Sequence, residues 1–178
     1  MGLIEREEDE DMYHETTVLV RRHLTDEVLR EPLSHVTESK AICLPTTATI
    51  QEVVEAMREG RQGAVLITDP DTKKLAGIFT ERDLLYRVAG RNWDYHKRTV
   101  KEAMTPDPET LTPRDQVGYA LNVMMTHGYR HIPIIKKQGQ PWGMISVRDI
   151  LMYLVEHFPE DVINLPPSPQ NHSEREGG

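Results

Sequence analysis

A hydroxyl three residues ahead of a carboxylate occurs twice in this chain, in nearly the same phrase. GIFTERDLL runs from Gly77 to Leu85 and GMISVRDIL from Gly143 to Leu151, so Thr80 precedes Asp83 as Ser146 precedes Asp149. An ionised carboxylate offers two acceptor oxygens to a vicinal diol, and a helix N-terminus offers N–H groups and a positive dipole end to a phosphate. The same spacing also makes a capping box, in which hydroxyl and carboxylate satisfy free N–H groups at a helix start. A cap accounts for either copy taken alone. The two roles are compatible, since a capped helix still presents its N-terminus.

The phrases close two copies of a longer unit. Leu33 to Ile50 aligns with Val100 to Val117, GRQGAVLI with GYRHIPII, and the turn TDPDTKKLAG with KKQGQPWG, the small insertions falling at a helix end and a turn. Within each unit Ile50, Val53, Val54 and Met57, like Val117, Ala120, Leu121 and Met124, recur at helical spacing. Short apolar runs follow, Ala64 to Ile67 and Ile132 to Ile135, each joined by a brief turn to a second run in what reads as an antiparallel hairpin. Short strands near Ala41 to Leu44 and Glu109 to Leu111 precede them. A last helix carries Leu84, Leu85 and Val88 in one copy and Ile150, Leu151, Leu154 and Val155 in the other. The order is strand, helix, strand, strand, helix. Units of under about 60 residues have marginal cores alone, so the two must pack together.

With 178 residues, 38% hydrophobic and 28% charged, the chain is globular. No apolar run approaches a membrane span and the acidic start lacks the parts of a signal peptide, which predicts no membrane contact and a cytoplasmic location. The net charge of −8 argues against nucleic acid as a partner but leaves room for a local basic pocket. Cys43 stands alone and reads as a small core residue. Met104, Met124, Met125 and Met144 read as core filling. His127 and His131 are four apart, but Gly128 should end the helix between them and no carboxylate or cysteine cluster is near, so no metal site is expected.

This order, with the doubled terminal phrase, resembles the CBS domain. The resemblance implies an α+β fold of two β-α-β-β-α units packed through their sheets about a pseudo-twofold axis. It implies clefts for AMP, ADP or ATP, with magnesium as a companion ion, or for S-adenosylmethionine. In that pattern Asp83 and Asp149 hold ribose hydroxyls and Thr80 and Ser146 contact phosphate; Arg82 and Arg148, next to the aspartates on the first helical turn, either reach that phosphate or pair with a nearby acid at the surface. Arg130 and His131 come beside a cleft, with Ile132 and Pro133 against the adenine, where the first unit has Gln62, Gly63, Ala64 and Val65. Sequence alone leaves open whether Arg130 enters the cleft beside Asp149 or the one beside Asp83.

The expected organisation is an acidic tail and short flanking element over residues 1–32, CBS units at 33–90 and 100–157, a linker at 91–99 and a disordered tail at 158–178. The segment TTVLVRRHLTDEVLREPL has enough apolar residues to pack on the module or a partner. No catalytic motif is present, and no enzyme activity is expected. The reading is a regulatory module that signals nucleotide occupancy to a protein target by a change of shape, acting as a homodimer through Val53, Met57, Leu85, Val88, Leu121, Met125 and Leu154. The alternative is an interaction or scaffolding module with no functional ligand, its aspartates serving only as caps.

Overall fold

The computed structural model describes residues 27–37 and 41–157; the expectations for the acidic N-terminal tail and the C-terminal tail lie outside them. After a helical stretch at residues 27–30, the first unit comprises α1 (Leu33–Val36), β1 (Cys43–Pro45), α2 (Ile50–Gly60), β2 (Ala64–Thr68), β3 (Leu75–Thr80) and the short α3 (Glu81–Asp83). The second comprises β4 (Thr105–Pro106), α4 (Val117–His127), β5 (His131–Ile135), β6 (Pro141–Ser146) and α5 (Val147–His157).

The helices form where the apolar spacing and caps dictate. In α2, Thr49 accepts from Glu52 N while the Glu52 side chain accepts from Thr49 N, and Ile50, Val53 and Met57 are buried on one face. Helix α4 buries Val117, Ala120, Val123 and Met124 and ends at Gly128, whose φ of 69° suits a residue without Cβ. Helix α3 runs on into a π-helical segment, Leu84–Val88, closed by Ala89 N donating to Leu84 O at 2.8 Å.

Both hairpins are antiparallel, β2 on β3 and β5 on β6, and they pack through Ala64, Leu66 and Ile78 of the first against Met144 of the second. Strand β1 lies parallel to β2, but its expected counterpart at Glu109 to Leu111 is reduced to one bridge, Leu111 to Ile134. Prolines 108 and 113 bracket that stretch and supply no N–H to a longer ladder. Leu111 itself donates to Pro133 O and accepts from Ile135 N.

The chain crosses between units in a way the repeat did not reveal. Residues 28–37 pack on the second unit, with Leu33 fully buried among Val117, Ala120, Ile132 and Ile150 and its N–H bonded to Asp115 O. In the matching exchange, Val100, Ala103 and Met104 join the core of the first unit, and Val100 N bonds to Ala48 O. Strand β4 then pairs with β3, Ile78 opposite Thr105 and Gly77 opposite Pro106, making the first sheet four-stranded. The described part of the flanking segment, residues 27–33, thus packs on the second unit; its earlier residues lie outside the described ones.

Three expectations are corrected. Cys43 is exposed on β1, not a core residue, and partial burial of its sulfur raises the thiol pKa, so exposure does not make it a ready nucleophile. Met104, Met124 and Met144 are buried, but Met125 is 83% exposed. Of the positions assigned to a dimer surface, Val53, Met57 and Val88 are buried in the first core and cannot meet a partner, because α2 and the π-helical segment turn them toward the sheet. Leu121 and Leu154 are partly buried, while Leu85 and Met125 are exposed. Among the described residues no helix is long and apolar enough to cross a membrane.

Candidate functional site

Strand β3 ends at Thr80, where the chain must turn into α3 with its first N–H groups unpaired. Thr80 Oγ1 accepts from Asp83 N at 3.2 Å, and Asp83 Oδ2 accepts from Thr80 N at 2.9 Å and from its hydroxyl at 2.7 Å. The second phrase closes in the same way, with Ser146 N and Oγ donating to Asp149 Oδ2 at 2.8 and 2.7 Å. Both phrases are therefore capping boxes in fact, and the capping role is established for each.

A cavity of about 210 Å3 opens beside the first box. Its walls come from both units: Thr80, Arg82, Asp83 and Arg87 from the first, Thr105, Pro108 and Glu109 from the stretch around β4, and Tyr129, Arg130, His131 and Pro133 from the approach to β5 and its start. Arg130 is thus among the residues that line the cavity beside Asp83. Its carbonyl accepts from Val147 N, next to Ser146, so one residue joins this cavity to the second box. Gly63 also lines the cavity; a Cβ there would sit 3.3 Å from Glu81 Oε2 and from His131 Cε1, which shows how closely β2 and β5 approach.

Three arginines, Arg82, Arg87 and Arg130, line this space with two acidic residues, Asp83 and Glu109. The local balance is positive in a chain of net charge −8, as an anion site requires. Arg82 is steadied by the Gly128 carbonyl at 3.4 Å, and Glu109 by His127 at 3.4 Å. Burial, and then the Arg130 cation, hold the His131 pKa below its ordinary value against the opposing pull of Glu81 and Asp149. Near neutral pH its ring is uncharged and can donate from one nitrogen and accept at the other.

The remaining expected residues lie elsewhere. Ile132 is fully buried among the helices of the second unit, and Ala64 is fully buried between the hairpins; neither lines this cavity. Pro133 does line it, because alternate residues of β5 face opposite sides. Val65 sits in the first core, and Gln62 accepts from Ile42 N. Ser146, Arg148 and Asp149 do not line this cavity, although Ser146 stands opposite His131 in the β5–β6 ladder; Arg148 is exposed. Sequence reasoning missed Arg87, Thr105 and Glu109. Arg87 had a signal, lying four residues after Asp83 on the same helical face; Thr105 and Glu109 had none. Among the described residues no group of three His, Cys, Asp or Glu could hold a metal ion.

The CBS domain family matches this chain twice, at residues 33–90 and 100–156. The chain belongs to the CBS-domain family. It is 32% identical over 124 residues to the "Uncharacterized 17.7 kDa protein in bps2 3′ region" of Acidianus ambivalens, covering 70% of this chain and 73% of that one. It is also 32% identical over 123 residues to the mitochondrial CBS domain-containing protein CBSX3 of Arabidopsis thaliana, spanning 67% of this chain but only 59% of the relative. Among solved structures it superposes on the CBS domain protein PAE2072 of Pyrobaculum aerophilum complexed with AMP, with a TM-score of 0.63 and 28% identity, over 71% of this chain and 99% of the other. The two repeated units are thus a tandem pair of CBS domains.

Proposed function

We propose that this CBS pair is a regulatory module that takes an adenine nucleotide into the cavity beside Asp83 and passes occupancy to a partner protein through a change of shape. The observation that carries this reading is the meeting, in one cavity, of a diol-accepting carboxylate from the first unit with Arg130 and His131 from the second. A ribose on Asp83 leaves its 5′-phosphate to Thr80, the α3 N-terminus and the guanidiniums of Arg82 and Arg130. Pro133, Ile78 and Pro108 supply apolar wall for a purine. The complex of PAE2072 with AMP supports AMP as the first ligand to try. Because the ligand touches both units, it shifts their arrangement to the extent that its affinity differs between arrangements. On this reading the protein is not an enzyme, works in the cytoplasm, and pairs as a homodimer through exposed apolar residues such as Leu85, Tyr86, Leu151 and Met152.

Thermal unfolding and calorimetry with adenosine, AMP, ADP, ATP with magnesium, and S-adenosylmethionine test the reading. A ligand at 100 times its Kd adds about 2.7 kcal/mol to stability. Asp83→Ala should abolish binding in the cavity beside it. The rival, an interaction module with capping aspartates only, gains from the fact that the Asp83 carboxylate already accepts three hydrogen bonds from the protein. No stabilisation by any of these ligands at millimolar concentration would favour it.

A further inference from the structure

The Asp83 carboxylate already has partners on every side. Oδ2 takes the N–H and the hydroxyl of Thr80. Oδ1 takes the hydroxyl of Thr105 at 3.2 Å and lies 3.3 Å from Arg87 Nε. A carboxylate has about four lone-pair sites; three take hydrogen bonds, and the Arg87 ion pair lies against Oδ1 beside the fourth. Both partners of Oδ1 line the cavity, so Oδ1 is the oxygen a ligand would reach. The cavity, about 210 Å3, is also below the roughly 300–1,000 Å3 usual for ligand pockets. A diol brings two donors to an oxygen that already holds a hydrogen bond and an ion pair, so to engage Asp83 with both hydroxyls it must replace something.

What it would replace is tied to the crossing between the units. Thr105 belongs to the two-residue strand β4, which arrives from the second unit and holds β3 only through Gly77 and Ile78. Arg87, besides meeting Asp83, donates from one terminal nitrogen to Ala103 O at 3.2 Å and Met104 O at 2.6 Å. The fit there is close, since a Cβ on Gly77 would lie 2.6 Å from Met104 Sδ and 2.8 Å from Thr105 O. We propose that Thr105, backed by Arg87, is an internal competitor for the Asp83 carboxylate, so that a ribose diol entering the cavity displaces the Thr105 hydroxyl and loosens residues 103–107 from β3. This rests on the nucleotide reading above and gives it a route from ligand to the joint between units. The Thr105 bond is the one to yield, being neutral at its donor, whereas Arg87 keeps its charge contact and its two carbonyls.

The test uses the full chain carrying Asp149→Ala, so that only the Asp83 site contributes, with AMP and 2′,3′-dideoxy-AMP as probes. Amide hydrogen exchange in the peptide covering residues 103–107 should quicken several-fold on saturation with AMP, and not with the dideoxy compound, which lacks the diol. Adding Thr105→Val, which keeps the β-branched shape and removes the donor, should tighten AMP about 2- to 10-fold and leave dideoxy-AMP unchanged. Exchange that stays constant or slows with AMP overturns the proposal, as does a folded Thr105→Val variant that binds AMP no more tightly. The exchange measurement needs no change at Thr105, so it stands if that variant fails to fold. AMP binding with neither effect leaves the nucleotide reading intact and removes the competitor; absence of AMP binding to parent and variant alike overturns both.

Discussion

Asp83 and Asp149 occupy the same place in the repeat, yet their surroundings differ. Each accepts two bonds at Oδ2 from its own capping hydroxyl residue. Asp83 adds Thr105 and Arg87 at Oδ1, whereas Oδ1 of Asp149 has no donor among the described residues, and Tyr153 stands where the first unit has Arg87. The difference teaches that a repeated phrase fixes the local cap, while the long-range partners depend on which chain arrives beside it. At the first unit that chain is residues 100–106; at the second it is residues 28–37.

The crossing segments are the place to break the comparison most completely. Leu33 lies outside the helices and hairpin of the second unit but is fully buried in its core. Leu33→Ala should cost about 2–5 kcal/mol in chemical denaturation, the range for deleting a buried leucine, whereas Ser34→Ala beside it, exposed, should stay within about 0.5 kcal/mol. A small loss at Leu33 would mean that the segment rests on the second unit without completing it.

The next effect sharpens the difference between the two clefts. Arg130 lines the cavity beside Asp83, while its counterpart Gln62 is engaged with the Ile42 amide. Arg130→Ala should weaken AMP by roughly 10- to 150-fold, from about 1.5–3 kcal/mol for a hydrogen bond to a charged group, with adenosine nearly unaffected. Gln62→Ala should lower stability by about 1 kcal/mol and leave AMP affinity at Asp83 alone. Equal losses of adenosine and AMP in Arg130→Ala would make that arginine a support for the fold.

Why the clefts could be assigned only from the structure follows from the residues involved. The repeat, its helices and its hairpins were legible, because Ile50, Val53 and Met57 and their counterparts carry a helical period and the phrases carry caps. Strand β4 was not, since two residues, one of them proline, show neither alternation nor length. With β4 hidden, Thr105 had no reason to be placed near Asp83. Arg130 was singled out, but its direction depends on how the hairpins face one another. Cys43 was misplaced because a three-residue edge strand shows no clear inward and outward face in sequence.

A smaller contrast separates the boxes as structural elements. Asp83→Ala and Asp149→Ala each remove a cap, about 0.5–2 kcal/mol, but the first also strips Arg87 and Thr105 of their partner. The Arg87 side chain is 43% exposed, so solvent screens much of that loss. Asp83→Ala should therefore be the more destabilising by only about 1 kcal/mol, measured as paired unfolding midpoints. Equal midpoints would show that the Oδ1 contacts add nothing to the ligand-free fold.

The smallest expected effect concerns His131, whose counterpart Gly63 has nothing to titrate. Burial and the Arg130 cation lower the His131 pKa in the folded protein, with Glu81 and Asp149 opposing them. The unfolded chain takes up this proton near the ordinary value of about 6.5, before the folded one does. The contribution is thus fully present above that pH and is lost as the pH falls through the window between the unfolded and the folded pKa. Urea unfolding of the wild type at pH 7.5 and pH 5.5 should show a drop in stability that is smaller in His131→Gln, which cannot take up the proton. The remaining histidines contribute equally to both proteins, so the difference between the two drops isolates this ring. Phosphate reverses the sign for binding: an anion beside His131 favours its charged form, so AMP affinity relative to adenosine should rise on acidification in the wild type more than in His131→Gln. An identical pH response in the two proteins would place His131 too far from the phosphate to sense it.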